Sequence, residues 1–234
     1  MNTPAHPPPR RRLISAFSLC LLLSVPAAAD DLQEAIERGK QAAAACIACH
    51  QPDGNGKDNG TAESWPRLAG LNADYLVAQL RAYQDGSRES ATMMAFAQML
   101  DDQQQQEVAL YYANLPPGPA TSPEADENLL KWGRTLAQEG DWERYIVPCQ
   151  SCHGPNNLGI GSEFPAIAAQ PAGYLRAQLE AWQNGTRQND PLDLMGSTAR
   201  RMTSRDIEAV SAWLATQPAT DDASATSETQ GGAQ

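Results

Sequence analysis

Two short motifs contain every cysteine and histidine found after residue 29. The first, at 46–50, has the sequence C-I-A-C-H, and the second, at 149–153, has the sequence C-Q-S-C-H. Two cysteines three positions apart lie about one helical turn from each other. They can form thioethers with the two vinyl groups on one edge of a porphyrin, which places the adjacent histidine beneath the iron. The spacing predicts two covalently bound haem c groups. The predicted attachment and proximal residues are Cys46, Cys49, His50, Cys149, Cys152 and His153.

Three other chemistries compete for these cysteines. Two disulfides are the default expectation in an oxidising compartment, a C-x-x-C pair can be a thioredoxin-like redox site, and two such pairs can bind zinc. A thioredoxin-like site needs a βαβ setting, and the sequence shows no such pattern. The C-x-x-C-H spacing argues against disulfides. Zinc would not explain why each pair is followed at once by one of the only two histidines left after the leader.

The sixth ligand of each iron is predicted to be a methionine. Both histidines are used as proximal ligands, which leaves methionine, a few lysines, water or an open position. Met93 lies 43 residues after His50, and Met195 lies 42 residues after His153. Each methionine also precedes, by seven residues, a large apolar residue that opens a predicted helix. This equivalence predicts Met93 and Met195 as axial ligands, with the adjacent Met94 as the rival in the first half.

A methionine ligand has consequences for function. A thioether raises the haem potential relative to a second histidine, so both haems are expected at positive potentials. With methionine in the sixth position, no coordination site is left for a substrate. The predicted ligand set therefore indicates an electron carrier rather than an enzyme. The remaining methionines, Met99 and Met202, are expected to pack in the core.

The two halves of the chain repeat each other. The attachment motifs are offset by 103 residues and the methionines by 102, and 12 of 24 residues are identical between 65–88 and 164–187. This period is too long for a solenoid and predicts two whole domains. Apolar residues recur at helical spacing and no run alternates with period two, so the fold should be all-α. The predicted helices are 31–44, 72–85 and 100–114 in the first half and 126–138, 172–184 and 202–216 in the second.

The N-terminus has the pattern of a secretory signal peptide. Arginines at 10–12 precede an apolar run at 13–25, and three alanines at 27–29 fit a cleavage site. The apolar run is too short to span a bilayer comfortably, since a spanning helix needs about 20 residues. A retained membrane anchor is the alternative, and the sequence does not decide between Sec and twin-arginine export. The predicted segments are 1–29 (signal peptide), 30–115 (N-terminal domain), 116–125 (Pro-rich linker), 126–216 (C-terminal domain) and 217–234 (disordered acidic tail).

The charge of the chain bears on its partners. The net charge is −11, and the predicted leader removes only three arginines, which leaves 14 basic and 28 acidic residues. Nucleic acid is excluded as a partner because its phosphates require a basic surface. The acidic surface favours a partner with a positive docking face, or serves only to keep the protein in solution.

Two pairs of residues should have structural roles. Gly39 and Gly133 lie in the middle of predicted helices, where glycine costs about 1 kcal/mol relative to alanine. Close packing against aromatic residues of the C-terminal helix of each half would justify that cost. Pro66 and Pro165 follow the motifs, and their carbonyls are candidate acceptors for the proximal histidines. A simple turn is the other interpretation of these prolines.

The motifs, the W/F-P-x-L/I-A segments at 65–69 and 164–168 and the methionine segments resemble the di-haem cytochrome c4 family over residues 33–216. The resemblance implies two tandem class I cytochrome c domains, related by a pseudo-twofold axis, with the haem edges facing the interface. It also implies a periplasmic carrier that delivers electrons to a terminal oxidase. The chain departs from the family at Ala169, where glycine is common, and at Leu71, where the second half keeps Gln170.

Three functions compete on these grounds. The first is a free shuttle between a quinol-oxidising complex and a terminal oxidase, which would bring the protein to membrane complexes. The second is a fixed di-haem electron-transfer subunit of a periplasmic dehydrogenase or reductase. The third is a haem peroxidase with one open iron, suggested only by the ambiguity between Met93 and Met94.

Overall fold

The computed structural model describes residues 26–60 and 63–221. Residues 1–25 of the predicted signal peptide and residues 222–234 of the predicted acidic tail therefore lie outside the described residues. The first helix begins at Pro26, upstream of the predicted cleavage point after residue 29. No helix in the described part of the chain is both long and apolar enough to cross a membrane.

The described residues form two helical halves of matching order, which confirms the all-α prediction. Outside the helices, β pairing among the described residues is limited to isolated bridges. The first half contains α1 (Pro26–Ala42), α2 (Ile47–His50), α3 (Ala73–Asp85), α4 (Ala91–Gln98) and α5 (Asp102–Ala113). The second half contains α6 (Glu127–Gln138), α7 (Gln150–His153), α8 (Ala172–Asn184), α9 (Leu194–Ala199) and α10 (Ser204–Ala215).

The first and last helices of each half cross at a glycine. A Cβ atom on Gly39 of α1 would lie 1.9 Å from the carbonyl oxygen of Glu107 in α5. A Cβ atom on Gly133 of α6 would lie 2.0 Å from the carbonyl oxygen of Ala209 in α10 and 2.8 Å from Cβ of Trp213. The predicted role of these glycines is confirmed, because only glycine lets the two backbones approach this closely.

Local signals define the helix ends. Asn72 caps α3 by accepting a hydrogen bond from the Tyr75 N–H. The capping box at the start of α5 pairs Asp101 with Gln104, and Thr203 and Asp206 form the same motif at α10.

The helices enclose one apolar cluster in each half. The buried members include Leu71, Leu76, Val108 and Tyr112 in the first and Leu136, Ile207, Val210 and Leu214 in the second.

The segments around Met93 and Met195 form helices α4 and α9, although neither segment is among the helices predicted from the sequence. Helix α4 forms because the Ser90 side chain accepts from the Met93 N–H and the following residues are mostly good helix formers.

Met202 is 7% exposed and belongs to the core, as expected. Met99 is 70% exposed, so the prediction that it packs in the core is wrong. It lies at the C-terminal end of α4, where its side chain borders a cavity rather than the core.

The turn before α8 keeps its shape without a glycine. Gly70 in the first half and Ala169 in the second adopt φ angles of 70° and 53°. Each N–H donates to a carbonyl near the end of the last helix, at Tyr112 (3.1 Å) and Leu214 (3.0 Å). The backbone hydrogen bond holds Ala169 in the left-handed conformation, so this departure from the family pattern leaves the turn intact.

The two halves pack against each other along the segments after α3 and α8. The Glu89 N–H donates to the Thr186 carbonyl at 2.9 Å, and the Gln188 N–H donates to the Ser87 carbonyl at 2.6 Å. These bonds surround an antiparallel bridge between Arg88 and Arg187. Equivalent residues of the repeat therefore meet at the interface.

Candidate haem-binding sites

Helix α2 positions the first histidine. The His50 side chain is buried, and its Nδ1 lies 3.0 Å from the Pro66 carbonyl oxygen. A carbonyl can only accept, so this contact assigns the proton to Nδ1 and leaves the Nε2 lone pair available for a metal. Burial lowers the pKa of His50, which keeps the ring neutral, as a ligand must be.

Helix α7 repeats this arrangement in the second half. The Nδ1 atom of buried His153 lies 2.7 Å from the Pro165 carbonyl oxygen, and burial again lowers the pKa of the ring. The acceptor role anticipated for the two prolines is confirmed in both halves.

No disulfide joins the four cysteines beside these histidines within the described residues. Burial raises the pKa of the Cys149 thiol to about 12 and also raises the pKa of Cys46. A catalytic C-x-x-C site lowers the pKa of its nucleophilic thiol, so these environments do not resemble a thioredoxin-like centre. These buried environments suit cysteines whose sulfur atoms form covalent bonds.

A cavity of about 600 Å³ lies against the first motif. Cys46, Cys49 and His50 line it, and of the two adjacent methionines of α4, Met93 is in the lining. The walls are mostly apolar, and three arginines that contact the opposite half reach the lining. This donor set fits a haem, which has an apolar macrocycle, an iron that takes nitrogen and sulfur ligands, and two carboxylates. The lining arginines are Arg88, Arg176 and Arg187.

The backbone at each candidate methionine ligand is held by a neighbouring side chain. The Met93 N–H donates to Ser90 Oγ at 3.1 Å, and the Met195 N–H donates to Asp190 Oδ2 at 2.5 Å. Both methionines are half-buried.

Two glutamines that were not predicted from the sequence bind the C-terminal ends of α4 and α9, the helices that contain Met93 and Met195. Gln84 Nε2 donates to the Ala97 carbonyl at 2.8 Å and to the Leu100 carbonyl at 3.1 Å. Gln183 Nε2 donates to the equivalent carbonyls, of Ala199 and Met202, at 2.7 Å each. The available signal was their identity in the repeat, where 84 aligns with 183.

A buried polar cluster joins the two halves at the interface. Arg88 donates to Tyr174 OH at 2.8 Å and to Gln178 Oε1 at 2.7 Å, both in the other half. Arg187 donates to Gln178 at 2.9 Å and across the interface to Gln79 at 3.1 Å. Neither arginine forms a salt bridge within the described residues. Their buried charges would therefore suit anionic groups of a ligand in the cavity that both arginines line.

Comparison with known proteins agrees with this architecture. The family model "Cytochrome c" matches residues 36–116 and 133–218. The chain belongs to the cytochrome c family. Because the match is tandem, the protein contains two cytochrome c domains with covalently bound haem c, and it is an electron carrier rather than an enzyme.

Three similar proteins refine the relationship. A "thiosulfate dehydrogenase electron acceptor" of Thiomonas intermedia is 44% identical over 75% of this chain and 80% of its own length. The structure of cytochrome c4 from Pseudomonas stutzeri is 30% identical with a TM-score of 0.70, over 78% of this chain and 98% of that one. The structure of thiosulfate dehydrogenase (TsdBA) from Marichromatium purpuratum is 37% identical with a TM-score of 0.73. That match covers 79% of this chain, which spans 40% of the other. The two-domain, cytochrome c4-like assignment is confirmed.

Proposed function

We propose that this cytochrome accepts electrons from a periplasmic thiosulfate dehydrogenase and passes them on one at a time. The observation that carries the proposal is the similarity to proteins named as electron acceptors of that enzyme. It favours the second hypothesis, a di-haem partner of a periplasmic dehydrogenase. The acidic composition adds support, since it suits a positively charged docking face on the enzyme.

The haem ligands are part of this proposal. His50 and Met93 bind the first iron, and His153 and Met195 bind the second. The support comes from the free Nε2 atoms, the position of Met93 in the cavity lining and the matched backbone anchors of the two methionines. Haem c supplies the one-electron redox couple. The covalent attachments are assigned to Cys46, Cys49, Cys149 and Cys152.

In this assignment the chain's own residues orient and enclose the group. The carbonyls of Pro66 and Pro165 fix the histidine rings and increase their basicity. The apolar walls of the cavity would exclude water from the first iron, and a histidine and a methionine on each iron would leave no coordination site for a substrate. With both irons held in this way, the bound haems would exchange single electrons with partners without making or breaking bonds.

The partner is tested by mixing the oxidised holoprotein with a purified bacterial thiosulfate dehydrogenase and following the absorbance of reduced haem. We expect rapid reduction that requires both thiosulfate and the enzyme. A control without enzyme measures direct reduction by thiosulfate. Reduction no faster than in this control would contradict the proposal.

A second candidate, delivery of electrons to a terminal oxidase, is favoured by the similarity to cytochrome c4 proteins. Its test uses reduced holoprotein and membranes that contain a terminal oxidase. Rapid reoxidation that stops on oxidase inhibition would support a carrier that serves the oxidase. Rapid reaction in both experiments would place the protein between the dehydrogenase and the oxidase.

The axial ligands are tested with Met93→Leu and the matched control Met94→Leu. We expect Met93→Leu to lose about half of the sulfur-to-iron charge-transfer band, since one of two ligating thioethers is removed. Met94→Leu should keep the whole band. The opposite pattern would identify Met94 as the ligand. A wild-type band that accounts for only one haem would favour the peroxidase hypothesis.

Location and domain boundaries complete the proposal. We place the protein in the periplasm because of the leader pattern at residues 1–29. The domains are 30–115 and 126–216, joined by the linker 116–125 and followed by the tail 217–234. The helices α2–α5 and α6–α10 fall within these two domains, whereas α1 begins at Pro26, four residues before the first domain. Fractionation of cells that express the full chain, with mass analysis of the mature N-terminus, tests the location and the cleavage point.

A further inference from the structure

The peptide group between Pro66 and Arg67 is hydrogen-bonded on both sides. Its carbonyl oxygen lies 3.0 Å from His50 Nδ1. Its N–H donates to Oε1 of Gln170, a residue of the other half, at 3.0 Å. Gln170 Nε2 also donates to the Arg67 carbonyl at 2.9 Å. Gln170 is 3% exposed and Arg67 is 2% exposed, so water does not compete for these bonds. One peptide therefore connects the first histidine to the second domain.

The second half lacks this connection. His153 contacts the Pro165 carbonyl in the same way, but the residue equivalent to Gln170 is Leu71, whose side chain cannot accept a hydrogen bond. Leu71 is part of the first apolar cluster, and Ala166 packs against that cluster. Within the described residues, the Ala166 N–H has no protein acceptor. Residues Pro165 and Ala166 instead line an open cleft at the surface.

This difference bears on the basicity of the two histidines. Hydrogen bonds in a chain polarise one another, most strongly in a site of low dielectric constant. An acceptor on the Arg67 N–H makes the Pro66 carbonyl of the same peptide a stronger acceptor for His50. A more strongly hydrogen-bonded histidine is a more basic ligand, and a more basic ligand favours the oxidised iron.

We propose that Gln170 is a positioning residue that lowers the reduction potential of the haem in the other domain. The haem of the second domain has no equivalent residue. Two domains with the same kinds of ligand thereby differ in potential because of one cross-domain contact. The inference rests on the proposed assignment of His50 and His153 as proximal ligands.

The neighbouring arginine does not depend on Gln170. The Arg67 guanidinium donates to the carbonyls of Ala69 and Ala168, which are equivalent residues of the repeat. A substitution at 170 therefore removes the hydrogen bond to the peptide while those contacts still hold the positive charge in place. Any change in potential then reports the peptide contact.

The test compares Gln170→Leu with Gln170→Glu in the full-length holoprotein. Leucine is the residue that the first half has at this position, and it removes both hydrogen bonds. Glutamate keeps an acceptor for the Arg67 N–H, loses the donation to the Arg67 carbonyl and adds a negative charge, which by itself can only lower the potential. The potential of each haem is measured by redox titration, with haem methyl resonances assigned to each domain. The Nδ1–H resonances of His50 and His153 report their hydrogen bonds.

We expect Gln170→Leu to shift the one-electron equilibrium of the first haem two- to threefold toward reduction, or roughly 20–30 mV at 59 mV per tenfold change. The His50 Nδ1–H resonance should move upfield. The second haem and His153 should not respond, and Gln170→Glu should leave the first potential at or below the wild-type value.

Three results would overturn the inference: an unmoved first haem, equal shifts of both haems in Gln170→Leu, or the same rise in Gln170→Glu. A purely structural role predicts the last, since both variants lose the same donor. The ligand assignment fails separately. If His50→Ala left the spectrum of the first haem unchanged, the proposed ligand set itself would be wrong.

Discussion

The carboxylate of Asp206 is expected to stabilise the second domain more than an exposed carboxylate does. Its carboxylate is buried at the start of α10 and accepts from Trp132 Nε1, from Arg144 Nη1 and from the Thr203 N–H, each at 2.7 Å. These donors come from α6, from the segment between α6 and α7 and from the residue that caps α10. Asp206→Asn removes the charge and replaces one accepting oxygen with a donor.

The magnitude follows from the burial of the two partners. Removing one member of a buried ion pair costs about 3–5 kcal/mol. The Arg144 side chain is 34% exposed, so water recovers part of its solvation after the change. We therefore expect Asp206→Asn to lower the free energy of unfolding of the second domain by roughly 2–3 kcal/mol at pH 7.

The effect depends on pH in a defined direction. Burial alone would raise the pKa of Asp206, but the hydrogen bonds from Arg144, Thr203 and Trp132 outweigh it and hold the pKa below its usual value. A depressed folded-state pKa contributes stability above the unfolded pKa, near about 4, and that contribution is lost as the pH falls further. The difference between wild type and variant should be constant from pH 7 to 5 and smaller at pH 3.

The assay is urea unfolding of the holoprotein, followed by the signals of each domain at several pH values. Asp193→Asn is the control, because Asp193 forms an exposed ion pair with Arg200 and should cost less than about 1 kcal/mol. Two results would refute the reasoning. One is an Asp206→Asn effect no larger than the control, and the other is a difference that grows as the pH falls.

Three further predictions follow from contacts described above. Gly133→Ala should destabilise the second domain by about 2 kcal/mol, since a backbone clash of up to about 3 kcal/mol outweighs about 1 kcal/mol of helix propensity; thermal unfolding measures this, and an unchanged transition would contradict it. Gln183→Ala should lower the free energy of unfolding of the second domain by about 1–2 kcal/mol. The charge-transfer band of the second haem should then disappear at a lower urea concentration than the other signals of that domain. A band that disappears together with those signals, as in wild type, would be the contrary result. Protein with both attachment motifs changed to Ser-x-x-Ser-His should show no cooperative thermal transition, because a domain of this size has too small a core without its haem; calorimetry would reveal a transition if this is wrong.

The sequence is most informative where the chemistry is local. The attachment motif needs no tertiary information, because its cysteines and histidine are adjacent along the chain. Helix periodicity predicts α8 residue for residue at 172–184, and it places the other long helices with errors of a few residues at their ends. Helix α1 differs most, since it begins at Pro26 rather than at residue 31.

Contacts between distant residues are where prediction from the sequence ends. The internal repeat shows that Arg88 is equivalent to Arg187 and Gln79 to Gln178, but equivalence does not reveal that these residues touch each other. That requires the pseudo-twofold packing, which places each arginine against the glutamine of the opposite half. Gln84 was missed for the same reason, because its acceptors lie 13 and 16 residues away along the chain.

The positions where the repeat has diverged are as informative as those where it is identical. Identical residues form the symmetric cluster around Arg88 and Arg187, so we expect that cluster to affect both haems similarly. Gln170 and Leu71 are equivalent but different, and only Gln170 contacts the peptide that holds a proximal histidine. A difference in potential between two haems with matching ligands must come from such asymmetric contacts, because symmetric ones shift both potentials together. Direction of electron flow within the pair is therefore expected to depend on a few diverged interface residues rather than on the ligands.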